Sequence, residues 1–210
     1  MNSASFLPGD TVLFERGNSW NEDLVVDSGA TVSQRITFSS YGTGPAPIVR
    51  RLIIDGDYMA FENMIVDHQR LPGDAVRVRA KNVILRSLII RNGANDGVDA
   101  TDADGLLIDS CLIHHFLAGS FANQVDAHGV IASDIQGLTI RNTEIHHVSG
   151  DSFQTDSTRS VNVPANILIE NSHFWTGPLQ EDFLAWNTGE VPGENAIDTN
   201  CAGRSTPHCP

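Results

Sequence analysis

The chain has 210 residues, and 26 acidic against 13 basic side chains give it a formal charge of −13. That balance argues against a nucleic-acid partner, whose phosphates need clustered Lys and Arg, and it repels an acidic glycan unless a cation intervenes. With 40% hydrophobic and 19% charged residues the chain has the composition of one globular domain, no apolar run approaches a membrane span, and the opening MNSASFLPGD lacks the basic and apolar regions of a signal peptide.

In chain order, TVLFERG and RITFSSYGTGPAPIVR read as early strands, the second broken by a Gly and Pro turn cluster. Five segments then align: YMAFENMIVDH, NVILRSLIIRN, GLLIDSCLIHH, GLTIRNTEIHH and NILIENSHFWT. Their apolar anchors are Phe61, Leu85, Ile108, Ile140 and Ile169. Apolar residues recur two positions earlier, from Met59 to Ile167, and five positions later, from Val66 to Phe174. These three columns are predicted to face one core. Glu62, Arg86, Asp109, Arg141 and Glu170 follow the anchors and alternate in sign, as suits a solvent-facing column on stacked strands. Next come Asn63, Ser87, Ser110, Asn142 and Asn171, small polar residues that bond the backbone in sharp turns, so each rung is expected to bend there. A second strand is predicted around Val76, Val98, Val130, Phe153 and Ile197, giving each rung at least two strands. Anchor spacings of 24, 23, 32 and 29 residues are too irregular for helical hairpins and suit a β-coil whose corners accept insertions. With three cysteines, Cys111, Cys201 and Cys209, any disulfide is confined to the last ten residues.

The segment LPGDTVLFERGNSWNEDLVV, followed by RITFSSYGTGPAPIV, resembles the opening of right-handed parallel β-helix proteins of the carbohydrate-active kind, and NVILRSLIIRN and LTIRNTEIHH resemble their rungs. The resemblance spans residues 7–200. It implies an all-β, single-stranded solenoid of about six to seven rungs, one domain over residues 1–200 with an irregular tail at 201–210. Such proteins include polysaccharide lyases, glycoside hydrolases and uronate epimerases, which bind sugar chains along the outer side of the coil. The implied partner is a polysaccharide, an acidic glycan in particular, and the implied location is extracellular or periplasmic. Family members usually open with a short amphipathic helix, which is not found here, and CAGRSTPHCP has no strand alternation. The chain is therefore expected to be truncated at both ends, with open coil ends able to pair into an oligomer.

Insertions predict where a site lies. From each anchor to its second strand the separations are 15, 13, 22, 13 and 28 residues, so the third and fifth rungs carry long loops where the fourth does not. The fourth rung is expected to floor a valley, walled by residues 115–126 and 176–194. Trp175, Phe183 and Trp186 belong to the second wall, as rings that stack on sugars or merely pack the loop onto the coil. On the floor, GDSFQTD turns Phe153 and Thr155 inward and Gln154 and Asp156 outward. Neighbouring rungs, about 4.8 Å away, add Asp126 and His128 on one side and Glu194 and Asp198 on the other.

Three chemistries compete for these residues. Asp126, Asp151 and Asp156 are candidate calcium ligands, and the ion would offset the repulsion of a uronate and acidify its α-proton for β-elimination. Two carboxylates could instead act as general acid and base in hydrolysis. Alternatively Asp74, Asp96, Asp151 and Asn195, which share a column with His128, are turn residues bonding local amides. Family lyases use Lys or Arg as base. Lys81, the single lysine, is poorly placed, and Arg77 is expected to pair with Asp99, which leaves Arg159 or His128 to move the proton beside Asp151. Gln154, Trp186, Glu194 and Asp198 are the candidate substrate-binding residues. His114–His115 and His146–His147 are expected to stack rung on rung. Imidazole is a good zinc ligand, but the same columns hold Asp67, Arg91 and Trp175, then His68, Asn92 and Thr176, so a polar turn ladder is the stronger expectation. The leading expectation is a cation-assisted lyase of a uronate-containing glycan, with hydrolase and non-catalytic glycan-binding or structural coil as alternatives.

Overall fold

The structure is a computed structural model that describes residues 4–156 and 163–200. The chain winds into a right-handed β-solenoid of about six turns, with no helix among the described residues. Each full rung has three short strands, one more than the minimum read from the sequence. The first face stacks Thr11–Glu15, Ile36–Tyr41, Met59–Glu62, Ile84–Arg86, Leu106–Asp109, Gln136–Arg141 and Ala165–Glu170, all in parallel. The second face stacks Ile65–Asp67, Ile89–Gly93, Leu112–Phe116, Glu144–Val148 and His173–Trp175. The third stacks Val76–Val78, Val98–Thr101, Val130–Ser133, Phe153–Asp156 and Ile197–Asn200. The long strand Ile48–Ile54 runs past the corner and pairs with the second face at one end and the third at the other.

Register follows the predicted columns. Phe61, Leu85, Ile108, Ile140 and Ile169 pair in series, as do Val76, Val98, Val130, Phe153 and Ile197. Apart from Ile197, these side chains belong to one continuous core in which Phe38 and Phe61 stack at 4.9 Å. Each such side chain contributes about 1.5–3 kcal/mol by leaving water, and parallel stacking lets every rung bury the one before it. At the last described rung Ile197 is half exposed.

Between the first and second faces, Asn63, Ser87, Ser110, Asn142 and Asn171 all take the left-handed backbone conformation, with φ of 58°, 52°, 57°, 51° and 48°. Asn tolerates that region better than most residues, and one such residue bends the chain without lengthening the rung. The alternating column before it is an ion ladder: Arg86 meets Glu62 at 3.0 Å and Asp109 at 3.5 Å, and Arg141 meets Asp109 at 2.9 Å. The expected Arg77–Asp99 pair is corrected. Asp99 stands beside Arg77 in register, but its carboxylate binds Arg79 at 2.6 Å while Arg77 reaches back to Asp55 at 2.9 Å. Cys111 lies in the core, where burial pushes its thiol up to about 12 and leaves it inert.

Candidate functional site

The two insertions do not wall an open valley; they meet over it. Residues Ala118–Ser120 and Asn123–Val125 form an antiparallel hairpin, and Gln124 Oε1 on its second strand accepts the N–H of Gly193 from the other insertion at 3.2 Å. Leu117, Leu179 and Trp186 bury one another beneath, with Phe183 against them. Under this roof Ser149 donates to the Val125 carbonyl at 2.6 Å and accepts the N–H of Ala118 at 2.9 Å. Trp186, expected to stack on sugar, is fully buried and packs the loop onto the coil. Apolar side chains on both insertions gain more by covering each other than by lining a wet cleft.

Asp151 and His128 belong to a ladder of side-chain acceptors. Asp96 Oδ1 accepts the N–H of His128 at 2.8 Å, His128 Nδ1 accepts that of Asp151 at 2.9 Å, and Asp151 Oδ1 accepts that of Asn195 at 3.0 Å. Each side chain thus ties its rung to the next, satisfying an amide that burial would otherwise leave without a partner. Both are almost completely covered, His128 at 3% and Asp151 at 1% exposure. The reading of this column as turn residues bonding amides therefore describes Asp96, His128 and Asp151, and in His128 and Asp151, the candidate catalytic residues, one side-chain atom each is engaged in such a bond.

The candidate calcium ligands Asp126, Asp151 and Asp156 differ in exposure and in partners. Asp151 holds Asn195 through Oδ1 and Gln154 through Oδ2, Asp156 is buried and already partnered, and Asp126 is exposed beyond the hairpin. Among the described residues the histidine group below is the one whose three ligand atoms come within 4.8 Å of one another. Arg159 lies outside the described residues. Lys81 is held by Asp104 at 3.0 Å, in keeping with its poor placement for proton transfer.

What remains open is a carboxylate rim beside the roof. Glu194 is exposed and Asp198 half-exposed. Gln154, on the floor strand, reaches Asp151 at 3.3 Å and Asp198 at 3.4 Å. Partial burial, then the nearby charges of Asp126, Asp151 and Asp198, raise the Glu194 carboxyl above its ordinary range, with His128 opposing. A carboxyl raised above its ordinary range beside other carboxyl groups is an acid–base pattern. A small cleft runs inward from it between Val148, Trp175, Thr176, Gly193 and Ala196.

On the second face the histidines converge. His114 stacks on His146 and His115 on His147, both at 5.1 Å. The Nδ1 atoms of His114 and His115 lie 2.6 Å apart, as do those of His146 and His147. Burial first, then the neighbouring imidazoles, hold His114 at about 3 and His115 and His146 at about 4, and burial lowers His147 too. The signal in the sequence was the dipeptide His-His at one position of two consecutive rungs.

A family model described as right handed beta helix region matches residues 52–200. No curated protein sequence matches the chain significantly. Among solved structures the coil is similar to the pectate lyase Pel9A, with TM-score 0.62 and 14% identity over 81% of this chain and 46% of that one. It is similar to ORF18 of Geobacillus virus E2, at 0.62 and 15% over 91% and 40%, and to Dettilon tailspike protein, at 0.54 and 11% over 96% and 40%. At these identities the likeness is one of fold, and the chain spans less than half the length of each.

Proposed function

The chain belongs to the right-handed β-helix family, and from that premise we propose that it acts on a polysaccharide, cleaving it by hydrolysis between paired carboxylates at the rim beside the joined insertions. What supports this reading is the gathering of Glu194, Asp126, Asp151 and Asp198 at one rim, where partial desolvation and then the neighbouring carboxylates raise the Glu194 carboxyl. A glycosidic oxygen needs a proton as it leaves, and a carboxyl that keeps its proton to higher pH supplies one. Asp198 is the partner carboxylate, steadied by Gln154, and Gln154 offers an amide to sugar hydroxyls. One structural neighbour is a pectate lyase, so elimination on a uronate is the alternative chemistry. It needs a side chain that can take up the α-proton; among the described residues Arg77, Arg79 and Lys81 are held in their charged forms by carboxylates, and Arg159 lies outside them.

The test incubates the chain with pectate, alginate and neutral glucans, following reducing ends and ultraviolet absorbance together, with calcium and with chelator. Reducing ends without absorbance, lost in Glu194→Gln, support hydrolysis. An absorbing unsaturated product overturns it in favour of elimination. Retained glycan binding with neither signal leaves a binding module.

A further inference from the structure

We propose that His115, His146 and His147 form a site for one divalent transition-metal ion that favours imidazole, zinc foremost. One ring nitrogen from each lies within 4.8 Å of the other two. Closing the rings onto an ion at about 2.0–2.1 Å from each nitrogen completes three protein ligands and leaves a fourth position for water. This inference goes beyond the glycan reading and does not depend on it.

Backbone geometry brings the rings together. His115 and His147 sit at left-handed positions, φ 59° and 50°, and are skipped in the pairing that joins His114 to His146 and Phe116 to Val148. A residue that interrupts strand alternation in this way puts its side chain beside its neighbour's, which is why the Nδ1 atoms of His146 and His147 lie 2.6 Å apart. Trp175 stacks on His146 at 4.7 Å and Phe183 lies 5.4 Å from His115, so aromatic rings wall the group. His114 Nδ1, at 2.6 Å from His115 Nδ1, is placed to fix that ring's tautomer, as outer partners of metal-bound imidazoles do. The nearby cation Arg91 is held by Asp67 at 2.9 Å.

A polar turn ladder accounts for rings stacked along the coil. It leaves His147 Nε2 unexplained. That atom is buried without a well-formed hydrogen bond, although the Gly177 and Pro178 carbonyls lie close enough to favour protonation of the ring. Imidazole nitrogen is a donor for Zn²⁺, Ni²⁺ and Cu²⁺ rather than for the oxygen-seeking Ca²⁺.

The test strips the full chain with chelator, titrates it with Zn²⁺ by calorimetry, and records the visible absorption of bound Co²⁺. One equivalent bound, a tetrahedral Co²⁺ spectrum and a raised Tm are expected. His115→Asn and His147→Asn each keep the left-handed position, since Asn92 holds it one rung earlier at φ 62°. Each is expected to weaken Zn²⁺ binding by about 100-fold or more, at least what losing an outer-sphere partner costs. His128→Asn, outside the group, is expected to bind as the parent does. No saturable binding by the folded parent chain, or unchanged binding by the His115→Asn/His147→Asn double variant, overturns the site.

Discussion

The imidazole of His128 accepts the backbone N–H of Asp151 at 2.9 Å through Nδ1, so the nitrogen facing the next rung is the unprotonated one. Asp96 and Asp151 make the same link with a carboxylate oxygen. His128→Asn, which keeps an acceptor, is therefore expected to retain most of the stability. His128→Phe leaves a buried amide unpaired and is expected to cost about 1–3 kcal/mol. Urea denaturation of both variants checks this, and equal loss in the two would show that packing, not the hydrogen bond, is what matters.

The ion ladder on the first face sets an acid limit. Hydrogen bonds from Arg141, opposed by burial and aided by Asn142 and Ser110, hold the Asp109 carboxyl well below its ordinary value of 3.8. A depressed carboxyl contributes stability that is full above its unfolded value and is lost as pH falls through its folded one. Asp109→Asn is expected to lower Tm at pH 7 and to have little effect at the lowest pH at which the fold persists.

His68 works in the same sense from a different cause. It is fully buried with neither ring nitrogen hydrogen-bonded, and burial, then Arg51, lowers it from 6.5 to about 4. The unfolded chain binds a proton there that the folded chain refuses, so stability falls as pH drops from 6.5 towards 4. The slope from this group reaches at most about 1.4 kcal/mol per pH unit. His68→Leu is expected to remove that contribution, read as a smaller difference in unfolding free energy between pH 7 and pH 5 than the parent shows.

Close approach between rungs fixes Gly129. A Cβ there would lie 2.3 Å from Ile145 Cγ2 and 2.5 Å from the Ser152 carbonyl oxygen, and that backbone contact cannot yield without shifting a rung. Gly129→Ala is expected to destabilise by about 1–3 kcal/mol. An unchanged midpoint in denaturant would contradict the tight stacking.

At the rim, the acid form of Glu194 should dominate below its raised value. If it donates the proton, kcat/KM falls as pH rises through that value. Glu194→Gln is expected to lose about 10²- to 10⁴-fold in rate. A profile flat across this range, or full activity in the variant, would remove Glu194 from the chemistry.

The rung itself was legible in the sequence because it is periodic. Columns such as Phe61 to Ile169 and Val76 to Ile197 pair as read, and the turn column from Asn63 to Asn171 takes the backbone conformation its small polar residues suggest. Such positions are fixed by alternation within a strand and by the same residue type one turn away, both visible along the chain. The insertions carry no such period. Only tertiary structure decided that Gln124 meets Gly193, that Trp186 turns inward, and that Asp99 takes Arg79 rather than Arg77. Those outcomes depend on which apolar surfaces cover each other and how far long side chains reach. The histidines show both regimes: their rung-on-rung stacking follows from register, while their convergence on one point depends on left-handed backbone at His115 and His147.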